Sequence, residues 1–243
     1  RKPLCWPPAS RPSNTTGPRY AELHCLTNFT FLQGASHPDE LVLQAEALGY
    51  EALAVTDRNS LAGVVRAYAA AKETSLKLLI GAELTPIDAA RVVVLATDRA
   101  AYGRLARLIT RGRRQAEKGD CRLTLEQIAE QSAGLIGAVV AEPGESLVPV
   151  ADLRAYRDIF GPRGYLLAEL HYGVDDPRRL GRLQALGRET GLPLVAAGDV
   201  HYHVPGRMAL QHVLTAIREG ATVAALGEQR RVLGERDDAV GAE

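Results

Sequence analysis

Seven short apolar runs rich in β-forming residues recur along the chain, and longer stretches of helical period separate most of them. The runs fall at about 20–24 and at "EALAVTD" (51–57), "KLLIGAEL" (77–84), "RVVVLATD" (91–98), "LIGAVVAE" (135–142), "YLLAEL" (165–170) and "LPLVAAGD" (192–199). Helical patterning fits 38–49, 60–74, 99–118, 124–131, 148–160, 176–190 and 206–219. Pro38 stands in a first helical turn, and Gly49, Gly191 and Gly220 stand where helices should stop. Strands that are apolar nearly throughout are covered on both faces, as parallel strands flanked by helices are. Two architectures remain, a closed β/α barrel and an open doubly wound sheet.

The polar residues separate the two. His24, Asp57, Glu83, Asp98, Glu142, His171, Asp199 and His201 lie at the carboxyl ends of runs or one to three residues beyond. Polar side chains spread around a whole ring are what the active face of a barrel requires. An open sheet gathers its site at one switch point, and no glycine-rich phosphate loop follows any run. The expectation is an α/β fold closed as a seven-stranded barrel.

Composition narrows the function classes. Lys plus Arg balances Asp plus Glu at 29 each, so any contact with nucleic acid would rest on a local basic patch. Cys5, Cys25 and Cys121 are widely spaced and form no CxxC pair, which points away from a disulfide framework and toward a reducing cytoplasm. No apolar run reaches the length of a membrane span. The opening "RKPLCWPPASRPSNTTGPRY" lacks the apolar core of a signal peptide and reads as a flexible leader over 1–19. A barrel domain is expected over 20–220, and 221–243 reads as the start of a linker.

Metal sites that hydrolyse phosphate esters bring several imidazoles and carboxylates onto two or three ions. "GDVHYH" (198–203) supplies Asp199, His201 and His203, and the first two can point the same way from an extended segment. Asp57 in "VTDRNS" and Glu83 in "IGAELT" end otherwise apolar strands. Each could instead cap a helix; together on one rim they read as a functional or vestigial site.

"YAELHCLTNFTFLQGASHPDELVLQAEALGYEALAVTDRNSLAGVVRAY", "LIGAEL", "VVLATDRAAYGRLARLIT", "LLAELHYGVDD" and "LVAAGDVHYHVPGRMALQHVLTAIREG" resemble the polymerase-and-histidinol-phosphatase (PHP) domain. Among its branches they are most similar to the N-terminal PHP domain of the error-prone DnaE-type DNA polymerases, bacterial family C enzymes of mutagenic damage tolerance. The likeness runs from about Tyr20 to Glu235 and implies a distorted (β/α)7 barrel.

The metal-loaded pattern of that family has His-x-His after the first strand, Asp-His after the second, Glu after the third and Asp-x-His after the last. Set against it, the chain keeps His24, Asp57, Glu83, Asp199 and His201. It carries Leu26 in place of the second His and Arg58 in place of the His after Asp57. In "VVAEPGES" only Glu142 stands near a middle ligand position; His171 and His203 are further candidates for the barrel mouth. Leucine removes an electron-pair donor. Arginine brings a permanent positive charge and a bidentate fork that can satisfy Asp57 or Glu83. The resemblance therefore implies a degenerate metal barrel in which internal ion pairing has replaced metal. At most a partial divalent site for Mn²⁺, Zn²⁺ or Mg²⁺ is expected.

Helix 99–118 places Arg104, Arg107, Arg111 and Arg114 along one face, a stripe that could track a phosphate backbone or stand as a solvated helix face. Cys25, His37 and His212 read as structural. Three functions follow. The first is the PHP fragment of an error-prone polymerase of DNA repair and translesion synthesis, without polymerase activity of its own. Its partners would be the polymerase body with its Mg²⁺, DNA, mutagenesis accessory proteins and a sliding clamp, in the bacterial cytoplasm. The second is a free-standing metal-dependent phosphoesterase or 3′-exonuclease. The third is a non-catalytic module that binds DNA or protein.

Overall fold

The computed structural model describes residues 19–141, 148–171 and 173–226. Seven strands follow one another in sequence order around one sheet: β1 (Ala21–Glu22), β2 (Ala52–Val55), β3 (Lys77–Leu84), β4 (Val92–Ala96), β5 (Leu135–Val139), β6 (Gly164–Glu169) and β7 (Leu194–Ala197). The ring closes through a parallel bridge between Cys25 and Val200, so the fold is a distorted seven-stranded α/β barrel. The helices are α1 (Pro38–Ala47), α2 (Val64–Ala71), α3 (Arg99–Arg114), α4 (Leu125–Glu130), α5 (Val150–Phe160), α6 (Asp176–Thr190) and α7 (Met208–Arg218).

One strand departs from the all-parallel expectation. β4 pairs antiparallel with both β3 and β5, because the connection after Leu84 holds no helix and the chain simply turns back. The reversal carries Arg91, just before β4, to the end of the barrel where the other strands finish. It carries Asp98 to the opposite end. Asp98, expected on the active rim, is the N-cap of α3, and its carboxylate accepts the Ala101 amide at 2.7 Å.

Alternation along the strands sorts the apolar residues into layers. Ala54, Val93, Leu95, Ala138, Val140, Leu167 and Ala197 fill the barrel interior, with Leu23, Leu79, Ile136, Tyr165 and Val195 against them. The outward faces of β3–β6 pack on α3, α5 and α6 through Ala82, Val94, Leu105, Leu108, Val139, Leu153, Phe160 and Leu183. Cys25, Leu53 and Val55 pack on α1 and α2 through Leu41, Val42, Ala45 and Ala67. Burying a Leu, Val or Phe side chain contributes about 1.5–3 kcal/mol, so these layers make the barrel a rigid frame for its mouth. After α7 a short 3-10 turn, Val223–Leu226, buries Leu226, within the stretch expected to begin a linker. Of the leader expected over 1–19, residues 1–18 lie outside the described residues, as do residues 227–243. Among the described residues no helix is long and apolar enough to cross a membrane.

Candidate metal centre at the barrel mouth

Glu83 is the hub of the mouth. It ends an inward-facing row of β3 and has no accessible surface. Its Oε1 accepts Arg58 Nε at 3.0 Å and Arg91 Nη1 at 2.9 Å. Its Oε2 accepts Arg58 Nη2 at 3.3 Å and lies 3.2 Å from His24 Nε2. Burial alone would raise the Glu83 pKa. The His24 hydrogen bond and the Arg58 and Arg91 guanidinium groups outweigh it and hold the carboxyl well below the usual carboxylate range. Arg58 reaches its partner because the β2–β3 pairing continues past the strands, with Arg58 bridged to Glu83 and the Asn59 amide donating to the Glu83 carbonyl at 2.8 Å.

His24 is the second hub. Its Nδ1 lies 2.6 Å from Glu169 Oε1 and 3.7 Å from Asp199 Oδ1. Burial disfavours the charged ring. The Glu169 carboxylate, with Glu83 and Asp199, reverses that effect and raises the His24 pKa well above its ordinary value. The raised pKa and a carboxylate at each ring nitrogen favour the protonated ring, which then stands with Arg58 and Arg91 against Glu83, Glu169 and Asp199. Asp199 adopts φ +50° and takes His201 Nε2 at 3.1 Å. Its backbone sits in the left-handed region, uncommon for non-glycine residues though entered more readily by Asp than by most.

His24, Glu169 and Asp199 form a compact donor group, each offering one ligand atom within 4.8 Å of the others. An imidazole and two carboxylates suit Mn²⁺, Mg²⁺ or Zn²⁺. His201 Nδ1 is buried without a hydrogen-bond partner, a donor or acceptor that an ion or its water could satisfy. The residues present therefore fit one divalent cation.

The remaining expected site residues fall elsewhere. Asp57 does not face Arg58 or the donor group. It is fully buried and accepts Thr27 N at 2.8 Å, Thr27 Oγ1 at 3.0 and 2.9 Å and Thr30 Oγ1 at 2.7 Å, which pins the 27–34 loop over the barrel rim. Burial raises its pKa, partly offset by the Thr30 and Thr27 hydrogen bonds. Leu26 has no accessible surface, and its amide donates to the Val200 carbonyl at 2.8 Å. His203 lies outside the mouth: its Nδ1 is 2.7 Å from Ser36 Oγ, beside the start of α1. His171 is half-buried past β6, and the N-cap of α6 is Asp175. Glu142 lies outside the described residues. Of the arginine stripe, Arg104 Nε donates to the Ala133 carbonyl at 2.7 Å and Arg111 pairs with Glu130 at 2.7 Å, while Arg107 and Arg114 are exposed. His37 precedes α1 and its amide donates to Glu40 at 2.8 Å.

Sequence reasoning missed Glu169 and Arg91. In "LLAELHYGVDD" the imidazole of His171 drew the attention, yet Leu167 and Glu169 share the inward parity that marks a rim residue. Arg91 was hidden by taking β4 as parallel, which puts that residue at the wrong end.

The family model described as PHP domain matches residues 22–169. The chain is 45% identical over 246 residues to an error-prone DNA polymerase of Rhodopirellula baltica, covering 96% of this chain and 22% of that protein. It is 50% identical over 217 residues to one of Pseudomonas fluorescens, covering 89% and 21%. It thus spans about a fifth of the length of these curated relatives. Among solved structures, a protein assigned as a metal-dependent phosphoesterase from Bifidobacterium adolescentis superposes with a TM-score of 0.57 at 16% identity, over 75% of this chain and 88% of that one.

Proposed function

The chain belongs to the PHP domain family, and from that premise we propose that it is the N-terminal PHP portion of an error-prone DNA polymerase, with a scaffolding rather than a hydrolytic role. Support comes from similarity to two error-prone DNA polymerases over nearly its whole length. On this reading 20–220 is the barrel domain, flanked by a leader and a linker. The polymerase body, with its own Mg²⁺, carries nucleotidyl transfer in damage repair and translesion synthesis. DNA, accessory mutagenesis proteins and a sliding clamp are the partners, in the cytoplasm.

The observation that carries the scaffolding role is Glu83 clasped by Arg58 and Arg91. Two permanent cations occupy the coordination capacity of a carboxylate that a multi-ion hydrolase would need for metal. One divalent ion still fits His24, Glu169 and Asp199, and there it would polarise a phosphoryl oxygen if one approached. His201 holds Asp199 toward that position, and the Arg58–Glu83–Arg91 cluster closes the neighbouring one. The competing reading, a PHP phosphoesterase or 3′-exonuclease, draws on the same donor group. A cleft of ≈ 1140 Å³ lies beside Arg58, lined by Phe29, Phe31, Asn59, Arg113 and Arg122 among others, but none of the three donors lines it.

Metal content after mild dialysis, measured alongside hydrolysis of a phosphate ester with added Mn²⁺, tests the proposal. At most one ion per chain without turnover is expected. Two or more ions, or turnover abolished by Asp199→Ala, would overturn it in favour of the hydrolase. No ion at all would remove the cation site and leave the ion-paired scaffold.

A further inference from the structure

The seam between β1 and β7 is a parallel ladder with an unusual rung. Val200 N donates to the His24 carbonyl at 2.9 Å and Leu26 N donates to the Val200 carbonyl at 2.8 Å. Parallel rungs are evenly spaced, so the next pair toward the strand starts would join Gly198 N to the Glu22 carbonyl and His24 N to the Gly198 carbonyl. Both donors instead go to one side-chain oxygen. Glu22 Oε1 accepts His24 N at 2.9 Å and Gly198 N at 2.9 Å. The carboxylate is 2% exposed, and its Oε2 accepts the Tyr20 hydroxyl at 3.0 Å. The fit leaves no space, since a Cβ on residue 198 would lie 2.4 Å from Glu22 Oε2.

This wedge coincides with a break in side-chain alternation. Leu23 packs into the barrel interior. Its neighbour His24 also turns inward, to reach Glu169 and Glu83. Cys25 then returns to the outer layer against α1 and α2. A ladder that continued regularly would send His24 to the side opposite Leu23, toward α1. Gly198, the second amide held, immediately precedes Asp199 with its left-handed backbone.

We propose that Glu22 is a positioning residue for the barrel-mouth cation site, its carboxylate replacing one rung of the closing seam so that His24 and Asp199 both face the ion. The proposal rests on the cation-site reading and adds a residue that offers no ligand atom itself.

Titration calorimetry of the full chain with Mn²⁺, together with ¹⁵N NMR of the His24 ring, tests it. Glu22→Gln keeps an oxygen for the two amides and should hold Mn²⁺ affinity within about threefold, whereas Glu22→Ala should lose about 10- to 100-fold, the range for groups that orient metal ligands. In Glu22→Ala the ring signal from the Nδ1–Glu169 hydrogen bond should vanish, and in Glu22→Gln it should persist. Lowered melting temperature alone would signal only a structural role. Gly198→Ala, which displaces the carboxylate without removing it, should weaken Mn²⁺ in the same direction and serves if Glu22→Ala fails to fold. Wild-type affinity and wild-type His24 signals in the folded variants would overturn the proposal. If the parent chain binds no Mn²⁺, the cation-site reading falls, and the ring signals alone decide whether Glu22 sets the direction of His24.

Discussion

Removing the Arg58 fork while keeping its stem isolates what that guanidinium contributes. Arg58→Met preserves an unbranched chain of comparable length, so packing along the stem changes little. What is lost is the pair of hydrogen bonds to Glu83 at 3.0 and 3.3 Å. Breaking a fully buried ion pair costs about 3–5 kcal/mol. Two features reduce that figure here: Arg91 and His24 still hold Glu83, and the Arg58 side chain is 29% exposed. The expected loss is therefore about 2–3 kcal/mol, below the full cost of orphaning a buried charge. For a domain of this size that lowers the melting temperature by about 4–12 °C. Thermal and urea unfolding followed by circular dichroism read the effect, and Glu83→Gln completes a double-mutant cycle. Coupling above about 1 kcal/mol is expected between the two positions. A loss under about 0.5 kcal/mol, the range of an ordinary surface substitution, or a cycle without coupling would refute the idea that Arg58 secures the mouth.

Restoring both substituted positions, Leu26→His with Arg58→His, should raise the number or affinity of bound Mn²⁺ or Zn²⁺ ions above the parent; equal binding by calorimetry would sink the view that arginine stands in for metal. The lowered pKa of Glu83 supplies stability that is fully present above its ordinary value of 4.5 and is lost as pH falls through its folded value. Glu83→Gln should therefore flatten the fall in unfolding free energy below about pH 4.5, read from urea midpoints across pH. Asp57 and Glu22, with raised pKa values, act in the opposite sense and soften the acid arm of the parent. Gly63→Ala would place a methyl carbon 2.5 Å from Asp57 Oδ2 and 2.9 Å from Thr27 Oγ1, and should cost about 1–3 kcal/mol by overpacking; unchanged thermal stability would contradict the tight Asp57 cradle. If α3 tracks a nucleic-acid backbone, replacing the exposed Arg107 and Arg114 by Ala should reduce the salt slope of single-stranded DNA binding by about 1–2, and an unchanged slope would retire the stripe.

Much of the architecture was legible because it follows from short-range patterning. The seven apolar runs and the helices between them match the observed elements, and the spread of polar residues at run ends selected the barrel. The polarity of β4 was not legible in the same way. "RVVVLATD" reads equally well in either direction, and only the helix-free connection from Leu84 hinted at a turn-back. That ambiguity displaced Arg91 from the site and put Asp98 in it. Asp57 shows a different limit. An acidic residue after a strand can meet a cation or a set of hydroxyls, and Thr27 and Thr30 win because the loop that carries them folds back onto it. Glu22 was hidden because the first run reads as 20–24, which puts it in mid-strand, whereas the observed β1 ends at Glu22.

The charge balance of the mouth explains the place of Arg58. Glu83 and Glu169 put buried carboxylates at the mouth, beside the partly exposed Asp199. Burial of unpaired carboxylates would then oppose folding. A permanent cation at the next strand end answers that cost, because a guanidinium stays charged whatever its surroundings and can bond both oxygens of Glu83. Arg91 doubles the answer from the reversed strand, and His24 stands between Glu83 and Glu169. The same geometry that closes one ion position leaves His24, Glu169 and Asp199 convergent, because Asp199 stands 3.7 Å from His24 Nδ1. A divalent ion entering there must displace the proton shared by His24 and Glu169, so occupancy should weaken as pH falls. On the scaffold reading, these ion pairs hold the mouth whether or not an ion is bound, and an ion at His24, Glu169 and Asp199 would add its binding energy to the folded state.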